Sequence, residues 1–319
     1  MSLLVVDGLS VSYEGSDRNA LNDASFTLEA GKTVAVVGES GSGKSTLAHV
    51  LGGLLDPTTR MTGRDLSLSG ENLLSARRSR WRELRRTELS MVFQSPIESW
   101  NPTRTLRAQL VGGLEAAGRP ELYPTLVELL HRVGIDEPEQ RLGDYPHQLS
   151  GGMLQRISIA SAVVKGPSLL IADEPTSALD STVQAEILEI LRELKKDSDL
   201  AMVIISHDLT VVSRVADDVL VMYGGNIVES GPTDRVLGHP VHPYTQGLLD
   251  SVPRLTDEPR SALPSMPMGG LPERGCPFRP RCSIAVEACE LNNPALEASG
   301  VTRVACPPAL ARQSVVVTS

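Results

Sequence analysis

Gly38-Glu39-Ser40-Gly41-Ser42-Gly43-Lys44-Ser45-Thr46 spells G-x-x-x-x-G-K-[ST]. That pattern suits a polyphosphate. Glycines let the backbone approach closely and turn successive N–H groups inward as an anion nest. Gly38, Ser40, Gly41, Gly43, Lys44, Ser45 and Thr46 are the candidate phosphate contacts. Lys44 is spaced to reach the β- and γ-phosphates, and Ser45 to ligate Mg²⁺. Three further polar groups each stand at the end of an expected strand: Gln94 after Leu89–Phe93, Asp173-Glu174 after Leu169–Ala172, and His207 just past Ala201–Ile205. With the loop after Thr33–Val37, four strand ends carry polar chemistry. Ligands of open α/β sheets sit at the carboxyl ends of strands. Asp173 would hold Mg²⁺, directly or through water, and Glu174 would act as general base on an attacking water. Gln94 would ligate the metal or the water, and His207 would contact the γ-phosphate. The plainer alternatives are an Asp-Glu pair capping a helix and a structural histidine.

Leu149-Ser150-Gly151-Gly152 offers a second anion site, with a hydroxyl and glycine amides at a helix start. The alternative is an ordinary N-cap at Ser150. Two phosphate-gripping stretches in one chain suggest that two chains share one nucleotide. Tyr13, upstream of the loop, is a candidate to stack on a nucleobase, against packing on the sheet.

The elements that must position these groups alternate. All-apolar strands separated by helical patterns imply an α/β fold with a parallel sheet. Residues 3–13 and 24–28 alternate apolar and polar, as half-exposed antiparallel strands do. Residues 103–143 read as helical, with Leu126, Leu129, Leu130 and Val133 on one stripe. Arg77, Arg78, Arg80, Arg82, Arg85 and Arg86 crowd one stretch, best read as a solvated helix face. Residues 253–275 hold five of the 22 prolines and read as a linker to a small tail.

The 319 residues carry 41% hydrophobic residues and a formal net charge of −9. That acidity argues against a nucleic-acid partner. No apolar run reaches the roughly 18 residues of a membrane span, and the N-terminus does not read as a signal peptide, so a cytoplasmic location is expected. All four cysteines lie in the tail, Cys276, Cys282, Cys289 and Cys306, spaced C-x5-C-x6-C-x16-C. Four thiolates fit a [4Fe–4S] cluster or zinc; disulfides or free thiols are the remaining options.

Residues 3–250 resemble the ATP-binding subunits of ABC transporters. The resemblance rests on the loop at 38–46, Gln94, L-S-G-G at 149–152, L-L-I-A-D-E-P at 169–175, S-A-L-D at 177–180 and His207. It implies a P-loop NTPase (RecA-like) core with an antiparallel β subdomain, an inserted α-helical subdomain at about 95–165 and a small Cys-containing C-terminal extension. The nucleotide-binding domain would span 1–235 and the extension 236–319. It further implies ATP and Mg²⁺ as cofactors and head-to-tail pairing, with Ser150, Gly151 and Gly152 on the partner's γ-phosphate and Asp180 near that interface. Met153 stands where a Gln is frequent, leaving the serine and glycines intact.

A narrower resemblance, to the dipeptide/oligopeptide and nickel importers, rests on M-V-F-Q-S-P-I-E-S-W-N-P at 91–102, Y-P-H-Q-L-S-G-G-M at 145–153, H-P-Y-T-Q-G-L-L at 242–249 and the cysteine tail. It implies a peripheral ATPase at the cytoplasmic face of the membrane, paired with a second ABC ATPase, expected to be a paralogue. Its further partners would be two transmembrane permeases and an extracytoplasmic solute-binding protein. The loop around Trp100 and the helical segment after it would dock a permease, and a [4Fe–4S] cluster would sit on the four cysteines, with Zn²⁺ as the alternative. Dipeptides, longer peptides and nickel chelates share this engine. The rival readings are a soluble, non-transport ABC ATPase and a binding-only subunit. The first usually carries two cassettes or a coiled-coil insertion; the second predicts a lost Glu174 or His207.

Overall fold

The computed structural model describes residues 2–16, 18–176, 179–196, 199–251 and 270–316. Most of the expected linker, and Ser177 and Ala178 of the S-A-L-D stretch, lie outside them. The chain opens with two long strands, β1 (Ser2–Ser12) and β2 (Asn19–Glu29), which pair antiparallel. β3 (Thr33–Val37) follows and runs through the phosphate loop into α1 (Lys44–Leu51). β4 (Arg60–Thr62), β5 (Asp65–Leu68) and β6 (Glu71–Asn72) return to the first sheet, in which both β4 and β5 flank β1.

The basic stretch forms α2 (Arg78–Thr87), which buries Trp81 and Leu84; Arg78, Arg82 and Arg86 are exposed, whereas Arg85 turns inward and its Nη1 donates to the carbonyls of Gly52 at 2.8 Å and Gly53 at 3.0 Å. Arg80 is paired with Glu71 and Glu83, the solvated face expected of such a run. β7 (Leu89–Val92) then leads into the helical region: α3 (Leu106–Ala116), α4 (Tyr123–Arg132), α5 (Pro138–Arg141) and α6 (Gly151–Val163). Leu126, Leu130 and Val133 are at most 1% exposed and join Leu106, Leu154 and Ile157 in one core. Burying each such side chain contributes about 1.5–3 kcal/mol.

β8 (Leu169–Asp173), α7 (Ser181–Lys196), β9 (Ala201–Ser206) and α8 (Leu209–Val215) continue the parallel layer. β10 (Asp218–Tyr223) and β11 (Asn226–Pro232) form the hairpin around Gly224-Gly225. α9 (Thr233–Gly238) and α10 (Pro243–Asp250) pack beside it. The tail contributes α11 (Ala288–Leu291), β12 (Glu297–Ser299), β13 (Thr302–Val304) and α12 (Pro307–Val316). β13 pairs with β11, so the tail extends the main sheet, ordered β12-β13-β11-β10-β3-β9-β8-β7.

The central strands are buried on both faces, and their side chains divide between cores. Val34 and Val36 of β3 enter the core shared with the antiparallel sheet, whereas Ala35 and Val37 enter the one shared with α8, α9 and the tail. This is the period-2 alternation of a strand covered on both sides. Register then aligns the carboxyl ends. Val37 lies opposite Ser206, Ile205 opposite Asp173, and Ala172 opposite Val92. Every polar group following these residues is therefore delivered to one edge of the sheet.

Candidate active site

The phosphate loop wraps that edge. Gly38 has φ 153° and Gly43 φ 105°, both outside the range of ordinary side chains. A Cβ on Gly38 would lie 2.2 Å from the Met222 carbonyl oxygen, and one on Gly43 would lie 2.6 Å from that of Ala20. Both contacts are with backbone, so neither can be relieved by a side-chain rotation. Lys44 is 6% exposed, and its Nζ donates to the carbonyls of Gly38 at 2.8 Å and Glu39 at 2.9 Å. Burial pulls its pKa below the usual lysine value, opposed by the carboxylates of Glu174, Asp173 and Glu39. The Ser42 hydroxyl is buried and unpaired. The loop is thus folded around a cation and unspent polar atoms.

A hollow of about 600 Å³ opens over it. Ser40, Gly41, Gly43, Lys44, Ser45 and Thr46 line it from the loop, and Gln94, Glu174 and His207 from three strand ends. The last three touch. Gln94 Nε2 donates to Glu174 Oε2 at 2.9 Å, and His207 Nδ1 stands 3.3 Å from the same oxygen. Glu174 itself has φ 46°, a left-handed backbone costing a non-glycine residue about 1–2 kcal/mol. Its N–H donates to the Ile205 carbonyl at 2.9 Å, which carries strand pairing one residue past β8 and fixes that turn.

Asp173, one residue earlier, is 6% exposed, and its Oδ1 is buried with no partner. Burial pushes its carboxyl above the usual range, Glu174 adds to this, and His49 and Lys44 oppose it. A buried carboxylate oxygen with nothing to accept from is suited to a hard cation, and Mg²⁺ takes oxygen ligands. The residues present fit that ion: the buried Asp173 offers one oxygen, and the Ser45 hydroxyl and Gln94 amide, which line the hollow, offer two more. When bound, Mg²⁺ would neutralise phosphate charge.

Tyr13 is placed differently from a free stacking ring. Its hydroxyl is 3.1 Å from Thr46 Oγ1, which fixes the phenol against the loop. The ring stays 39% exposed and lines a separate hollow of about 470 Å³ with Ser12, Thr58 and Arg60.

Ser150, Gly151 and Gly152 lie outside the hollow, at the start of α6. Ser150 Oγ accepts from the Met153 N–H at 3.3 Å, so Ser150 is an N-cap. A Cβ on Gly152 would stand 2.9 Å from Val183 Cγ1, and one on Gly151 4.0 Å from Leu179. The signature is therefore packed on the segment holding Asp180, whose Oδ1 accepts from the N–H groups of Thr182 and Val183. Trp100 is half-buried, its Nε1 donating to Ser158 Oγ at 3.1 Å. The exposed apolar groups of that loop are Phe93 and Ile97.

Three residues that the sequence did not single out hold this arrangement. Gln155 is 1% exposed, and its Nε2 donates to the Pro175 carbonyl at 2.7 Å, tying α6 to the turn after Glu174. Tyr244 and Arg281 both reach Glu39 from the far end of the chain. The motif H-P-Y-T was the one available signal for Tyr244. His242 Nδ1 accepts from the Tyr244 N–H, which starts α10 and aims the phenol at the loop.

The four tail cysteines are free thiols. Cys276 N–H donates to the Cys289 carbonyl at 2.8 Å. Burial raises the pKa of Cys276 and Cys282 and pushes that of Cys306 up to about 11, neighbouring thiols adding to each shift. Among the described residues no three His, Cys, Asp or Glu side chains form a group that could hold a metal. The expected [4Fe–4S] site, or a zinc site, thus has no support in how these side chains are arranged.

Comparison with known proteins agrees with this geometry. The ABC transporter family profile matches residues 21–177, and that of the oligopeptide/dipeptide transporter C-terminal region matches residues 228–289. A Brucella abortus (strain 2308) protein, described provisionally as a peptide import ATP-binding protein, is 43% identical over 326 residues, covering 99% of this chain and 97% of that one. The oligopeptide transport ATP-binding protein OppD of Salmonella typhimurium (strain LT2) is 44% identical over 304 residues, covering 93% and 90%. The solved structure of cbiO1 from Clostridium perfringens, part of the ABC transporter complex cbiONQ, superposes with a TM-score of 0.64 at 29% identity, covering 75% of this chain and 91% of that one. At such identity over nearly its whole length, with the phosphate loop and signature intact, the chain belongs to the ATP-binding subunits of ABC transporters that carry the oligopeptide/dipeptide C-terminal region.

Proposed function

We propose that this chain is the ATP-hydrolysing subunit of a peptide importer, working at the cytoplasmic face of the membrane. The observation that carries this reading is the separation of two phosphate-binding elements. The loop shares its hollow with Gln94, Glu174 and His207, while Ser150, Gly151 and Gly152 stand apart beside Asp180. A signature without a nucleotide of its own calls for a second ABC ATPase, each subunit completing the other's site. In that closed pair ATP lies along the loop, with its charge met by Lys44 and the loop amides. Ser45, Gln94 and Asp173 would hold Mg²⁺. Glu174 takes the proton of the attacking water, and Gln94 and His207 hold its carboxylate in place.

Closing and opening of the pair would drive two permeases, which receive the solute from an external binding protein. The relatives' names favour peptides as that solute. A groove of about 450 Å³ supports the docking of a permease segment. It lies between the sheet and the helical region and is lined by Leu54, Met91, Phe93 and Trp100. Among the described residues no helix is long and apolar enough to cross a membrane, which fits a peripheral subunit. For the tail we infer a [4Fe–4S] cluster on Cys276, Cys282, Cys289 and Cys306 from the resemblance alone. Iron and sulfide analysis of the chain purified without oxygen tests it.

The experiment for the motor is Glu174→Gln. Turnover should fall at least about a hundredfold while ATP binding and dimer formation persist. Near-normal hydrolysis would remove Glu174 from the role of base. Purification of the tagged chain from detergent-extracted membranes should recover two multi-span proteins and a second ATPase; recovery alone from the soluble fraction refutes the importer.

A further inference from the structure

The second residue of the phosphate loop is held from the other end of the chain. Arg281 Nη1 donates to Glu39 Oε2 at 2.7 Å and Nη2 to Oε1 at 2.9 Å, a parallel bidentate pair spanning 242 positions of sequence. The Arg281 side chain is only 3% exposed. Its guanidinium lies 5.6 Å from the Tyr223 ring centroid and 5.8 Å from that of Phe278. Glu39 is also gripped through its backbone: its N–H donates to Tyr244 Oη at 2.8 Å, and its carbonyl accepts from Lys44 Nζ. Residue 39 is thus fixed at its amide, its carbonyl and its carboxylate, which is more than a surface loop needs for stability.

The charge explains the expense. Glu39 sits in a loop built to receive a polyanion, and an unpaired carboxylate there would repel it. A planar, permanently charged guanidinium is the side chain best shaped to cancel a carboxylate bidentately. Stacked on aromatic rings, Arg281 has little freedom to leave.

We propose that Arg281 is a positioning residue for ATP. It neutralises Glu39, so that the phosphate nest presents no like charge to the nucleotide. It touches no nucleotide itself and acts only through Glu39. The proposal builds on the ATP-binding reading of the loop and would fail separately from it: binding of ATP by the parent chain tests the loop, and the variants below test the clamp.

The test is equilibrium binding of ATP, ADP and AMP to the purified full chain by calorimetry, at low and high salt. Arg281→Met should weaken ATP binding about tenfold, ADP less and AMP least, because the exposed carboxylate repels in proportion to phosphate charge. The loss should shrink at high salt. Glu39→Gln added to Arg281→Met should restore most of the affinity, because no charge then remains to cancel. A merely structural clamp predicts an equal loss for all three nucleotides and no rescue, and either result overturns the proposal, as does ATP affinity within about twofold of the parent. Should Arg281→Met not fold, Glu39→Gln alone decides: equal or tighter ATP binding supports the proposal, and clearly weaker binding refutes it.

Discussion

Lowering the pH should unfasten the C-terminal region through one imidazole. His242 is 1% exposed, with its ring 5.8 Å from that of Phe278. Its Nδ1 accepts from the Tyr244 N–H at 3.0 Å and so caps α10. Protonation would abolish that acceptor and set a positive charge at a helix N-terminus. Burial accordingly lowers its pKa from 6.5 to about 3. The unfolded chain takes up this proton near pH 6.5, and the folded chain not until about pH 3. Stability from this group is therefore fully present above pH 6.5 and is lost as pH falls towards 3. The loss amounts to about 1.4 kcal/mol at pH 5.5 and about 2 kcal/mol at pH 5. Glu229, whose carboxylate accepts from the Val241 and His242 N–H groups, has its pKa raised by burial and works in the opposite sense. It is common to parent and variant, so it cancels in their difference. His242→Asn keeps a capping acceptor but does not titrate. Urea unfolding followed by circular dichroism should show the parent losing about 2 kcal/mol more than the variant between about pH 7.5 and pH 5, a midpoint difference of about 0.5 M for a chain of this size. The lost packing of the ring lowers the variant's whole curve without changing its slope. Parallel pH profiles for the two proteins would refute the reasoning.

Two further substitutions follow from the site. Gly43→Ala sets a Cβ 2.6 Å from the Ala20 carbonyl oxygen at φ 105°, so the loop must shift; ATP affinity by calorimetry should fall at least about tenfold, and unchanged affinity would show that the nest is not rigid. Asp173→Asn removes a buried, unpartnered charge. The nucleotide-free protein should melt higher than the parent while ATP hydrolysis collapses. Because the folded pKa of Asp173 is raised, its penalty is present at neutral pH and relieved as pH falls, so the melting advantage of the variant should shrink on acidification. A lower melting temperature at neutral pH would mean that the carboxylate is paired.

The parts of this fold that could be read from the sequence are those carried by short, local patterns. Val34–Val37 and Ala201–Ile205 are apolar throughout because both their faces are covered, and the residue after each such strand must fall at the sheet edge. Gln94, Glu174 and His207 could thus be grouped with Lys44 before any coordinates. The contacts of Tyr13 with Thr46 and of Trp100 with Ser158 depend on where two elements meet, which neither stretch encodes alone. The clamp on Glu39 was further out of reach. Tyr244 and Arg281 lie 205 and 242 positions away, and an Arg-Cys pair in a proline-rich tail reads as a metal motif before it reads as a salt bridge. The left-handed turn at Glu174 left no trace either, since glycine or asparagine is the usual marker of that conformation.

The same span has a consequence in time. A ribosome makes Glu39 long before it makes Arg281, and at roughly 5–20 residues per second the wait is about 12–50 s. Through that interval the nascent chain carries a phosphate loop that still lacks its bond from Arg281. A chain cut short before Tyr244, by a stalled ribosome or a protease, would display every ATP-binding motif and still lack a finished grip. By the proposed role of Arg281, such a fragment would bind ATP more weakly, which ties the affinity of the loop to synthesis of the tail.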